Sequence, residues 1–165
     1  MPTITLEPLP PSDPDAARIL HEYVVDVAAR YYGRAPTPRE LADALADSPP
    51  QAVAAPHGAL LVARLGEDTV GCAGVRFAGD GIEEGTGEVT RVFVAERARR
   101  RGVASALVTG LEDLARARGV RLLRLDTRTD LVEARALYAR LGYREVPAFN
   151  DEPYADHWFA KPLPA

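Results

Sequence analysis

The segment that most restricts the fold runs from Gly87 to Arg118, "GEVTRVFVAERARRRGVASALVTGLEDLARAR". It opens as a run rich in β-branched residues, the composition of a strand. It then passes through three arginines, Arg99 to Arg101, and one glycine, Gly102. From Val103 the apolar residues Ala104, Leu107, Val108, Leu111 and Ala115 recur at helical spacing. Gly119 stops that helix, and "VRLLRLDT" reads as a further strand. A strand, a helix and a strand in immediate succession call for a layered α/β arrangement in which helices cover a sheet.

The rest of the chain extends that arrangement. "TITLEPL" (Thr3 to Leu9) alternates like a half-buried strand and is broken by "PPSDP". Ser12 or Asp13 can cap a helix over Asp15 to Tyr32, with Leu20, Val24, Val27, Ala28 and Tyr31 on its apolar face and Gly33 at its end. "TPRELADALAD" predicts a short second helix with Thr37 as cap, Pro38 first and Glu40 placed for a capping box. "GALLVARLG" and "TVGCAGVRF" form a hairpin about "EDT", and "AGDGIEEGTG" is a flexible loop. "DLVEARALYARLG" carries Ala134, Leu137, Tyr138 and Leu141 on one helical stripe, and "YREV" and "DHWFAKPL" close the sheet around "PAFNDEPYA". The expected fold is a mixed sheet of about seven strands flanked by about four helices.

At 165 residues, with 47% apolar and 27% charged side chains, the chain reads as one domain over residues 1–165 with an ordinary core. No stretch is long and apolar enough to span a membrane, and the first residues lack the pattern of a secretory leader. Cys72 is the single cysteine, which excludes an internal disulfide and fits a reducing cytoplasm. His21, His57 and His157 have no metal-ligand spacing, so no metal is expected. The formal charge of −4 disfavours a nucleic-acid partner. A homodimer remains open.

"RRRGVASAL" therefore places dense positive charge at a strand-to-helix junction in an acidic chain. A helix start presents unpaired N–H groups and the positive end of the peptide dipoles. Gly102 permits a turn, and Val103, Ala104 and Ser105 are small, so a phosphate can approach the backbone. Neither the P-loop pattern nor the three-glycine dinucleotide fingerprint is present. A merely solvated arginine face and an RNA-binding surface are the competing readings.

At these residues the sequence resembles the GNAT superfamily of acyl-CoA-dependent N-acetyltransferases. Arg99-Arg100-Arg101-Gly102-Val103-Ala104 matches the family's Gln/Arg-x-x-Gly-x-Gly/Ala motif, "GEVTRVFV" its fourth strand, and "EARALYARLGYREV" the helix and strand that follow, with Ala134, Tyr138, Gly142 and Tyr143. The resemblance implies a sheet splayed between strands 4 and 5, with acetyl-CoA as cosubstrate in the splay. Its pyrophosphate would rest on Arg99, Arg100, Arg101, Gly102, Val103, Ala104 and Ser105, and its pantetheine arm on the backbone of Val92, Phe93 and Val94. Where many members carry Asn seven residues before the tyrosine, this chain has Leu131.

The implied reaction is acetyl transfer to a primary amine of a small molecule or peptide by direct attack, in a cytoplasmic bacterial enzyme. An alkylamine with a pKa of about 10 needs a base. Glu88 is the candidate, against a purely structural pairing with Arg91. Tyr138 matches the family's usual acid, against a role as a core tyrosine. The acceptor side gathers Tyr23, Asp26, Tyr31, Tyr32, Phe149, Asp151, Glu152, Tyr154, Asp156 and Trp158. Of these Tyr31, Tyr32, Asp151 and Tyr154 are the candidate acceptor contacts, suited to a cationic amine. Trp158 also reads as closing the core. A non-catalytic acetyl-CoA-binding sensor or partner domain of the same fold is the alternative.

Overall fold

A computed structural model describes residues 3–79 and 81–164; Asp80, in the loop expected to be flexible, lies outside them, as do both chain ends. The elements follow in the order β1 (Ile4–Pro8), α1 (Pro14–Tyr32), α2 (Pro38–Ala46), β2 (Gly58–Leu65), β3 (Asp68–Arg76), β4 (Thr86–Val94), α3 (Val103–Ala117), β5 (Leu122–Thr127), α4 (Val132–Arg140), β6 (Arg144–Val146) and β7 (His157–Pro162). Short 3₁₀ turns at Pro50–Val53 and Glu96–Ala98 were not expected from sequence. The seven strands form one sheet in the order β1-β2-β3-β4-β5-β7-β6. Among the described residues only the β4–β5 pair is parallel; the others are antiparallel. The mixed sheet and four helices agree with the expected architecture.

Local signals account for the helix bounds. The Asp13 carboxylate accepts from the N–H groups of Asp15 and Ala16 at 2.9 and 3.2 Å, starting α1 one residue earlier than the apolar pattern predicts. Thr37 and Glu40 form the expected capping box on α2. The β2–β3 turn is tighter than the expected loop: Leu65 pairs with Asp68, and Gly66 takes a left-handed φ of 60° that a two-residue turn requires. Tyr31, expected on the apolar face of α1, is 53% exposed, because the buried stripe runs through Ala16, Ile19, Leu20, Val24 and Ala28 instead.

The sheet separates two cores. Val103, Leu107, Val108 and Leu111 of α3, with Leu137 and Tyr138 of α4, pack on Val75, Val89 and Leu123 on one side. Ala16, Ile19 and Leu20 of α1 pack with Val53, Leu60, Val62, Cys72 and Phe93 on the other. Gly110 lets α3 lie close to the sheet, since a Cβ there would come within 2.7 Å of the Leu6 side chain.

Two irregularities open the sheet. Cys72 pairs with Phe93 but Gly74 with Thr90, so Arg91 and Val92 together oppose Ala73 in a β-bulge. Arg91 has φ 56°, unusual for a residue with a side chain. The bulge reverses which way the strand faces. Val89 packs in the α3 core, whereas Phe93, four residues on, packs in the α1 core. The parallel β4–β5 register covers only Thr86, Gly87 and Glu88 against Leu122, Leu123 and Arg124. Beyond Glu88 the two strands part.

Candidate active site

The parting of β4 and β5 widens into a cavity of about 1330 Å³. Its walls come from α1, α2, β4, the start of α3, the β5–α4 junction and the β6–β7 loop. Backbone polar groups from Val89 to Val94 lose the β5 partner they would have in a continued ladder.

At one end lies the N-terminus of α3. Gly102 caps it with φ 80° and no side chain caps the helix, so the first amides have neither a side-chain acceptor nor an intrahelical one. A Cβ placed on Gly102 meets nothing within 4 Å, leaving the approach to these amides open. Val92, Phe93, Val94, Arg99, Arg100, Gly102, Val103, Ala104 and Ser105 all line the cavity, and Arg101 does not. The Arg99 guanidinium is held by the Val94 carbonyl at 3.0 Å and Asp26 at 3.4 Å. This is a cradle of positive potential bounded by small side chains, and it fits a phosphate-bearing group.

Glu88 sits at the last position of β4 that pairs with β5. The expected alternative, a pairing with Arg91, is not found. The carboxylate lies 3.7 Å from Arg76 and 3.5 Å from Arg124, while the Arg91 guanidinium turns to the Pro49 carbonyl at 2.7 Å. The bulge separates the two residues in this way. Burial raises the pKa of Glu88, and the two arginines only partly oppose it.

Tyr138 lines the cavity from α4 and is 5% exposed. Its ring meets Tyr143 edge-on at 5.7 Å and Phe159 at 6.2 Å. Burial pushes its pKa up, so it stays protonated over the whole physiological range. The ring belongs to the core and the residue borders the cavity. Leu131, at the N-terminus of α4, lines the cavity too.

The opposite end is aromatic. Tyr31 packs edge-on against Tyr32 at 5.1 Å and Tyr154 at 5.3 Å, bringing α1 and the β6–β7 loop together. All three line the cavity. Asp151 does not; the neighbouring Glu152 does, with a pKa raised by burial first and then by Asp126, Glu88 and Asp47. Tyr23 and Asp26 also line it, whereas Phe149, Asp156 and Trp158 do not. Phe149 lies under Arg124, and the Trp158 indole donates to Asn150, which donates to Asp126. Asp156 accepts from the Thr129 N–H. Cys72 is buried in the core, its thiol pKa pushed up to about 12 by burial. Arg76, Arg91, Asp126 and Arg128 also line the cavity and were not picked out as site residues from sequence, where arginines on a strand look like solvent-facing positions. Among the described residues no cluster of potential metal ligands occurs.

Residues 19–143 match the Acetyltransferase (GNAT) family. The chain belongs to this family. It is 36% identical over 104 residues to IAA acetyltransferase of Azospirillum brasilense, a match covering 63% of this chain and 65% of that protein. In the solved structures it resembles a protein assigned as an acyl-CoA N-acyltransferase from Klebsiella pneumoniae subsp. pneumoniae, with 29% identity, 98% of both chains covered and a TM-score of 0.68. The fold is also that of PaiA N-acetyltransferase from Thermoplasma acidophilum, solved with coenzyme A, at 13% identity, 96% and 99% coverage and a TM-score of 0.72.

Proposed function

We propose that the chain transfers an acetyl group from acetyl-CoA to a primary amine of a small molecule or peptide, by direct attack of the amine. The observation that carries this reading is the uncapped α3 N-terminus at one end of the β4–β5 cavity, with a partly buried carboxylate and a protonated buried tyrosine along the same cavity. Acetyl-CoA, when bound, supplies the acetyl group in activated thioester form.

The residues divide the work by their chemistry. The amides of Val103, Ala104 and Ser105, reached past Gly102, receive the pyrophosphate, with Arg99 and Arg100 at its flank. Arg101, outside the cavity, adds only to the local positive field. The freed β4 edge at Val92, Phe93 and Val94 binds the pantetheine arm by backbone hydrogen bonds. A β4 amide there also stabilises the carbonyl oxygen as it gains charge. Glu88 takes a proton from the incoming ammonium, directly or through water, and its burial makes it a better base than an exposed carboxylate. Tyr138 donates a proton to the departing sulfur. Tyr31, Tyr32, Tyr154 and Glu152 flank the acceptor, and Asp151 contributes charge from the rim.

The test is the release of free CoA thiol from acetyl-CoA in the presence of a panel of primary amines. Amine-dependent release supports the reading. Tight acetyl-CoA binding without release by any amine would favour the non-catalytic sensor, for which Leu131 in place of the usual Asn is the supporting feature.

A further inference from the structure

Among the described residues the cavity has one buried arginine, Arg91, without a counter-charge. Most cavity-lining arginines are paired: Arg76 with Glu88, Arg99 with Asp26, Arg128 with Asp130 at 2.8 Å, and Arg30 with Glu133. Arg91 lines the same cavity, is only 9% exposed, and has no carboxylate within 4 Å among the described residues. The one hydrogen bond its guanidinium makes among them runs to the Pro49 carbonyl, on the segment joining α2 to the 3₁₀ turn. That bond uses one of three guanidinium nitrogens. The other two have no protein partner among the described residues, and neither is fully buried.

The surroundings do not neutralise it. Tyr23 and Cys72 lie nearby, and burial holds both protonated, with pKa values pushed up to about 12. The remaining charge acting on Arg91 is that of Arg76, of the same sign. Burial, more than any neighbour, lowers the pKa of the guanidinium. An unpaired buried charge is costly, and a left-handed φ at a residue with a side chain is a second cost at the same position. Both are concentrated at the bulge, on the wall of the cavity. The bulge also turns Arg91 to the α1 side of the sheet, toward Tyr23, Cys72 and Pro49.

We propose that Arg91 binds a carboxylate on the acceptor, so that the acceptor carries an amine and a carboxylate in one molecule, as amino acids do. This rests on the acetyl-transfer reading for the amine half only. Charge complementarity sets the orientation. Glu88, Asp126 and Glu152 line the same cavity and repel one another, which suits an ammonium. The carboxylate end goes to Arg91, which offers the planar fork that a carboxylate accepts. A phosphate dianion is less suited, because it would bring a second negative charge beside those three acids.

The experiment compares the twenty standard amino acids with their primary amides, which differ only in the acid group. Thermal stabilisation of the CoA-loaded protein is read for every pair, and thiol release from acetyl-CoA is read alongside. Expected is at least one acid that stabilises the protein and outcompetes its amide by about tenfold or more. In Arg91→Met that preference vanishes while CoA binding persists, and in Arg91→Lys part of it returns. Both variants keep a Cβ, so the strain at φ 56° is unchanged. If Arg91 served only to hold Pro49, Arg91→Met would weaken acids and amides equally, and that result overturns the proposal. So does an acid that stabilises no more than its amide, including no stabilisation by either. Thiol release with amides alone would overturn the carboxylate site and leave acetyl transfer standing. A carboxylate preference in binding without thiol release from any amine would do the reverse.

Discussion

Two side chains carry the chemistry of the account, and their environments push their proton affinities in useful directions. Glu88 has its pKa raised by burial, so its base form develops at higher pH than that of an exposed carboxylate. The rate therefore rises with pH as Glu88 loses its proton, and kcat/KM should show an acidic limb above the ordinary carboxylate range. Glu88→Gln should lose that limb and about 100-fold in kcat, as read from a pH–rate profile. An unchanged profile would remove Glu88 from the reaction. The folding linkage has the opposite sense. A raised carboxyl pKa favours the fold at low pH, and that contribution fades as pH rises through the folded value. Tyr138 keeps its proton throughout, so Tyr138→Phe should lower kcat about tenfold or more and leave acetyl-CoA affinity intact. The roles proposed for these residues came from matching "GEVTRVFV" and "ARALYARLGY", but the partners of Glu88 could not be read that way. Arg76 and Arg124 lie on β3 and β5, and only the sheet pairing brings them to one carboxylate.

At the scale of elements, the junction from β4 to α3 is the part most legible in sequence. One glycine between an arginine run and an amphipathic helix foretold both the turn and the uncapped amides. The bulge was not legible. Arg91 follows "GEVT" in an unbroken β-branched run, and nothing local marks it for a left-handed φ. That conformation arises from pairing with β3, where two residues must face Ala73. Gly102→Val tests the junction. A Cβ there meets no neighbour, so the main cost is the left-handed backbone, about 1–2 kcal/mol. Relief of that strain re-aims the first amides of α3. Acetyl-CoA affinity should fall at least tenfold while the variant still unfolds cooperatively; undiminished affinity would rule out the cradle.

The whole molecule depends on two cores that meet through the sheet, and a buried polar knot ties one of them to the closing strands. Glu112 of α3, 4% exposed, accepts from the Tyr143 hydroxyl at 2.9 Å and from Lys161 of β7 at 3.0 Å. Glu112→Leu leaves both donors without their acceptor and should cost about 3 kcal/mol in urea unfolding. None of these three residues lines the cavity, so acetyl-CoA affinity should not change. Element order and mixed-sheet character were legible because apolar period switches cleanly between strands and helices. Which loop residues reach the cavity was not, as Asp151 and Glu152 show: adjacent in sequence, only one lines it. Whether the α3 cradle and the β4 edge bind acetyl-CoA is decided by calorimetric titration of acetyl-CoA into the purified protein. Expected is micromolar binding that weakens sharply when the 3′-phosphate and pyrophosphate are removed from the ligand. A folded protein that shows no binding, or binds equally well without those phosphates, would contradict it.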